Sequence, residues 1–208
     1  MPFGAYETVA AHEILDEKIN MIHHFDLYLQ DCQDQQLAHL IRKHRESAIQ
    51  GYNQLVSYTH DTHSASPQST SQAMPSVQVS QIQYGLDHPA QQSPHLQGRL
   101  NEDQIASAVL SCHKNSAKNH MAASVECADP NLRQMLINSA VTCANEAYEV
   151  FMYMNQKGTY QIPTMKDHTA KTYLHAFQPA QASQGHQSTY PAYPTTTSPS
   201  YRYTNEPH

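Results

Sequence analysis

Apolar residues return at steps of three and four in four long stretches of the chain. In the first, Leu15, Ile19, Ile22, Phe25 and Leu29 fall on one face of a helix running from about Glu7 to Gln30. A second seam, Leu37, Ile41, Ala48, Tyr52 and Leu55, follows Asp34, whose carboxylate suits an N-cap. The third helix starts at Leu100-Asn101-Glu102-Asp103, with Asn101 as cap and acids in the first turn, and its seam is Ile105, Val109, Cys112 and Ala123. The fourth has Asp129 as cap, Pro130 at its first position and a stop at Lys157-Gly158, with a seam of Leu132, Leu136, Cys143, Val150 and Tyr153 or Met154. Strand periodicity is absent.

These stretches also repeat one another. Sliding the chain along itself by about 95 positions sets Cys32 on Cys127, Asp34 on Asp129, Leu37 on Leu132 and Ile41 on Leu136. The same slide pairs Ile14 and Leu15 with Val109 and Leu110, Leu55 and Val56 with Val150 and Phe151, and Tyr58 with Tyr153. Helices of this length joined by turns of a few residues run antiparallel, and two hairpins that each expose an apolar stripe bury both by packing together. The fold class that follows is all-α: an antiparallel four-helix bundle built from two duplicated helical hairpins, with a disordered linker and tail, and the long connection allows either a ferritin-like crossover or a flexible tether. The expected divisions are a first hairpin over 1–60, a Gln/Ser/Pro/His-rich crossover linker over 61–99, a second hairpin over 100–160 and a disordered Pro/Thr/Tyr-rich tail over 161–208. A weak apolar patch in the linker, Val77, Val79, Ile82 and Tyr84, is a candidate to lie against the bundle.

Composition narrows the function classes. A formal charge of -6 with only 12 Lys plus Arg argues against nucleic acid, because phosphate binding needs clustered cations. No window holds the roughly 18 apolar residues of a membrane helix, and no basic-then-apolar leader opens the chain, so the expectation is synthesis in the cytosol and no membrane insertion. Cys32, Cys112, Cys127 and Cys143 form no C-x-x-C pair and read as buried reduced thiols.

A ferritin-like bundle raises the question of a di-metal site, which takes a Glu from each of two helices and Glu-x-x-His from the other two. No Asp or Glu here precedes a His by three residues. The polar residues near the seams are His12, His44, Ser116, Asn119 or His120, Ser139 and Glu146, with one carboxylate among them. Their heights along the bundle separate His12 from His44 and His120 from Glu146, so no converging metal site is expected. His113 follows Cys112 directly, and adjacent helix positions point about 100° apart, so the two form no nucleophile–base pair. His60 and His63 are the linker histidines best placed for weak metal capture, but scattered surface histidines in a polar linker are the favoured reading. No phosphate-binding loop is present among six glycines. The expectation is a protein that is not an enzyme, with no catalytic residues, no metal ligands and no cofactor.

Three blocks of the second hairpin carry a resemblance. Asn101-Glu102-Asp103-Gln104-Ile105-Ala106, Glu126-Cys127-Ala128-Asp129-Pro130-Asn131-Leu132-Arg133 and, most specific, Tyr153-Met154-Asn155-Gln156-Lys157-Gly158-Thr159-Tyr160 resemble the Coat F domain of bacterial spore coat proteins. In the first hairpin, Met1-Pro2-Phe3-Gly4-Ala5 and Ser47-Ala48-Ile49-Gln50-Gly51-Tyr52-Asn53-Gln54-Leu55 are similar to the N-terminal part of the same group. The resemblance implies a ferritin-like fold, no defined catalytic residues, and a structural role in the endospore coat. It also implies synthesis in the mother-cell cytoplasm, deposition in the spore coat, other coat proteins as partners, and self-association. Composition alone suggests cross-linking as the mechanism, with Tyr190, Tyr193, Tyr201 and Tyr203 for oxidative coupling and Gln91, Gln92, Gln156 and Lys157 for transglutaminase-type bonds, and an inert solvated tail is the other reading. The alternatives are a ferritin-like metal-binding or peroxide-removing protein, and an adaptor that recruits other coat proteins.

Overall fold

The structure, a computed structural model, describes residues 4–60, 76–86 and 98–180. Four long helices form a bundle: α1 (Ala5–Asp31), α2 (Gln35–His60), α3 (Glu102–Glu126) and α4 (Pro130–Gln156). The caps fall where side-chain chemistry puts them. Asp34 Oδ1 accepts from the backbone N–H of Gln36 and Leu37 at the start of α2. Asp129 Oδ1 does the same for Asn131 and Leu132, ahead of Pro130, which has no N–H to satisfy. Asn101 and Gln104 exchange side-chain bonds across the first turn of α3 in a capping box. Gly158 ends α4 at φ 76°, a conformation open to glycine at little cost.

α1 packs on α2 and α3, and α4 packs on α3 and α2, so each helix has two antiparallel neighbours. The start of α1 meets the α3–α4 turn, and the start of α3 meets the α1–α2 turn. The end of α2 therefore lies at the opposite end of the bundle from the start of α3. The connection between them must cross the bundle's length, which is the connectivity of ferritin-like bundles. Part of that connection is described. A single 3-10 turn, Val79–Gln81, precedes a clamp in which Gln83 N–H donates to Asn155 Oδ1 and Asn155 Nδ2 donates to Gln83 O. Tyr84 pairs with Ile162 in an isolated bridge. Backbone hydrogen bonds hold the segment here, while Val79 and Tyr84 stay largely exposed.

Two apolar clusters fill the bundle. One, at the α1–α2 turn end, centres on Phe25, Leu37, Ile41, Ile105, Val109 and Val150. The other, at the far end, gathers Ile14, Leu55, Tyr58, Leu132 and Leu136. The buried stripe of α1 is Ile14, Lys18, Met21 and Phe25, one position round the helix from the expected Leu15, Ile19, Ile22 stripe, whose members are only half-buried. The stripe of α3 likewise passes through His113, with Cys112 half-buried at its edge. The physical reason is the same in both helices. A polar residue occupies a core position, and periodicity judged from apolar residues alone shifts to the nearest apolar neighbour.

The unit beginning at Met165 contains the short helix α5 (Asp167–Leu174), which buries none of its side chains. It carries an i, i+4 ion pair between Lys171 and Asp167. The segment over 161–180 thus holds about two helical turns where the sequence reading expects none. The remainder of the tail, from residue 181, lies outside the described residues.

Candidate functional site

Between the two apolar clusters lies a polar layer drawn from all four helices: Lys18, His44, His113, Ser116, His120, Ser139, Cys143 and Glu146. His44, His113 and His120 are fully buried, and Glu146 is 3 % exposed. Each helix contributes at the point where its stripe passes from one apolar cluster to the other, so the layer is a cross-section of the bundle. His12, one of the expected seam residues, is exposed instead, and of the alternatives Asn119 and His120 it is His120 that lies inside. His12 faces Glu13 and Asp16 on the surface of α1.

The layer is ordered by a chain of contacts that starts at the surface. Lys43 Nζ donates to both oxygens of Glu149 at 2.7 and 2.8 Å. Glu149 Oε2 lies 3.0 Å from His44 Nε2, and His44 Nδ1 lies 3.1 Å from His113 Nε2, with the two rings edge to face. Glu149 is held down at about 2, chiefly by His44 and also by Lys43, so it is an ionised acceptor and His44 Nε2 carries the proton. His44 Nδ1 and His113 Nε2 share one proton between them, and the other ring nitrogen of His113 is Nδ1. That atom points at Glu146, whose Oε2 is 3.3 Å away but out of line for a hydrogen bond. Glu146 Oε1 also has no hydrogen bond.

Burial dominates the proton affinities here. It pushes His113 well below the ordinary imidazole value, with His44 and Lys18 adding to the effect. It raises the Glu146 carboxyl, only partly offset by His44, Ser47 and Lys18, and pushes the Cys143 thiol up to about 12. His120 falls to about 3 by burial and the Lys18 charge, and its Nε2 lies 3.6 Å from Glu17. Lys18, 5 % exposed, donates to Ser139 Oγ at 3.1 Å. Gly51 makes room for it, since a β-carbon there would stand 3.1 Å from Lys18 Nζ.

The donor atoms of His113, Cys143 and Glu146 all lie within 4.8 Å of one another. This departs from the sequence expectation of no convergence. The residue that closes the set is His113, which the sequence reading set aside in favour of Cys112. Cys143 and Glu146 are three apart on α4 and so share a face, a signal visible in the sequence only once that face is known to look at His113. A di-metal carboxylate centre does not fit the layer. Its acids are Glu17 on α1 and Glu146 and Glu149 on α4, Glu149 is engaged by Lys43 and His44, and the Lys18 ammonium lies within the layer.

Of the expected cross-linking residues, Gln156 is exposed, and Lys157 is held to Asp34 at 2.9 Å and lies over the Tyr153 ring. Tyr190, Tyr193, Tyr201 and Tyr203 lie outside the described residues, as do Gln91 and Gln92. All four cysteines are free thiols. No helix among the described residues is long and apolar enough to cross a membrane.

A bundle whose second hairpin runs from an Asn101 capping box through the Asp129-Pro130 turn to the Gly158 stop has a family counterpart. Residues 101–163 match the Coat F domain. It is also similar to the Spore coat protein F-like protein YhcQ of Bacillus subtilis (strain 168), at 27% identity over 180 residues, or 86% of this chain and 82% of that protein. No solved structure matches.

Proposed function

We propose that this protein is a structural component of the bacterial endospore coat. The observation that carries the reading is the match to the Coat F domain over 101–163, together with a likeness to a spore coat F-like protein over 86% of the chain. The role is architectural and needs no reaction centre. The bundle is the assembling module, associating with itself and with other coat proteins. It is made in the mother-cell cytoplasm and deposited on the forespore.

The tail and the α4 terminus supply the cross-links. Tyr190, Tyr193, Tyr201 and Tyr203 couple oxidatively, two phenols forming one carbon–carbon bond as a peroxide-class oxidant takes up their two hydrogens, and the exposed Gln156 is the acyl donor for transglutaminase-type bonds. Lys157 serves less readily, because it must first leave Asp34. In a spore-forming host, a fluorescent fusion should ring the forespore and remain with purified, washed spores. A signal that stays diffuse in the mother cell and vanishes on lysis would overturn the coat assignment. The cross-linking mechanism is tested separately: removing residues 164–208 should make the protein easier to extract from purified spores, and unchanged extractability would remove that mechanism.

A further inference from the structure

The geometry points to a mononuclear metal site in the middle of the bundle, in which His113 Nδ1, Cys143 Sγ and Glu146 bind one borderline-soft divalent cation of the zinc class. Three independent features converge on it. The first is the donor set, one nitrogen, one sulfur and one carboxylate oxygen within 4.8 Å of one another and buried together. Tetrahedral zinc at about 2.0–2.3 Å from its ligands sets donors roughly 3.3–3.8 Å apart, so the three side chains need to close by only about 1 Å.

The second feature is unmet bonding capacity. His113 Nδ1 and Glu146 Oε1 are buried with no hydrogen bond, a state that costs free energy unless something occupies the space between the donors. The third is the outer contact chain. Lys43, Glu149 and His44 hold the His113 ring through its Nε2 and turn its Nδ1 toward Cys143 and Glu146. A carboxylate orienting an imidazole is the usual support behind a metal-bound histidine; here His44 is inserted between the two.

Charge selects the ion. Lys18 already places a positive charge in the layer. A divalent cation bound by a thiolate and a carboxylate adds no net charge to it. Sulfur and nitrogen donors exclude calcium and magnesium, which take oxygen, and favour zinc or cobalt. Because the donors are buried, the ion enters as the chain folds.

The full-length, untagged chain should therefore be produced in cobalt-supplemented medium and purified under reducing conditions after a brief chelator wash to strip surface histidines. We expect about one cobalt per chain, a thiolate-to-cobalt charge-transfer band in the near ultraviolet and the strong visible bands of four-coordinate cobalt. Cys143→Ser should abolish the charge-transfer band, and Glu149→Gln should weaken retention by about 10–100-fold. Zinc should displace the colour. A wild-type protein that retains no cobalt, or retains it without the thiolate band, overturns the site whatever the variants do. A band that survives in Cys143→Ser overturns it too, by assigning the sulfur to another cysteine.

Discussion

The two hairpins are the same object at their ends and different objects in their middles. Glu7 in the first turn of α1 accepts from the N–H of Ala128 and Asp129 in the α3–α4 turn, at 2.7 and 2.6 Å. Glu102, its equivalent in the repeat, accepts from Gln33 and Asp34 in the α1–α2 turn, at 2.6 and 3.1 Å. Tyr58 donates to Asp129, and its equivalent Tyr153 bonds Asp34. Each hairpin thus clasps the turn of the other by the same residues. Midway along the helices the equivalence fails. Lys18 corresponds to His113, Met21 to Ser116, Phe25 to His120, Ala48 to Cys143 and Gly51 to Glu146. The junctions that fix helix register have stayed alike while the centre has diverged. What holds the fold is therefore separable from what could carry chemistry.

Five substitutions would break or sharpen that contrast. The largest effect should come from Phe25→Ala, which empties a fully buried ring site in the apolar cluster and should cost about 3–5 kcal/mol in urea unfolding. A loss under about 1 kcal/mol would mean the cluster collapses to fill the gap. Next are the clasps. Glu7→Ala and Glu102→Ala each strand two turn N–H groups bonded to a charged partner and should cost about 1.5–3 kcal/mol apiece. Acting at opposite ends, they should add in the double variant within about 0.5 kcal/mol. Strong non-additivity would show that the ends communicate through the middle layer.

Smaller still is Asp34→Ala, expected to cost about 0.5–2 kcal/mol near neutral pH through the lost cap. Lys157 first, then the Leu37 and Gln36 amides, hold Asp34 at about 2 in the folded chain against an ordinary 3.8. Its contribution is therefore present above about pH 4 and fades as pH falls through 2. The stability gap between wild type and variant should close over that window, and a gap unchanged at pH 2 would assign it to packing. The smallest effect is expected from Lys18→Met. Burial holds Glu146 toward its neutral acid, so removing the ammonium leaves little uncompensated charge, and stability should stay level or rise. A loss of about 3–5 kcal/mol would show instead that Lys18 balances an ionised Glu146.

Much of the architecture is decided by the sequence. Asp34, Asn101, Asp129-Pro130 and Gly158 mark helix ends through local chemistry, and the duplication from Cys32-to-Cys127 through Tyr58-to-Tyr153 implies two equivalent hairpins. Local bonds determine such features, so local reading finds them. The tertiary structure alone decided the rest. Whether Cys112 or His113 faces inward depends on the rotation of α3 against its neighbours, and a step of one residue turns a side chain by about 100°. The clasps of Glu7 and Glu102 join residues more than sixty positions apart, and nothing local marks them. The polar layer is the extreme case. His44 and Glu146 read one at a time as isolated polar residues on the seams, and Lys18 and His113 as lying off them, and the four become a buried constellation only when four helices bring them to one height.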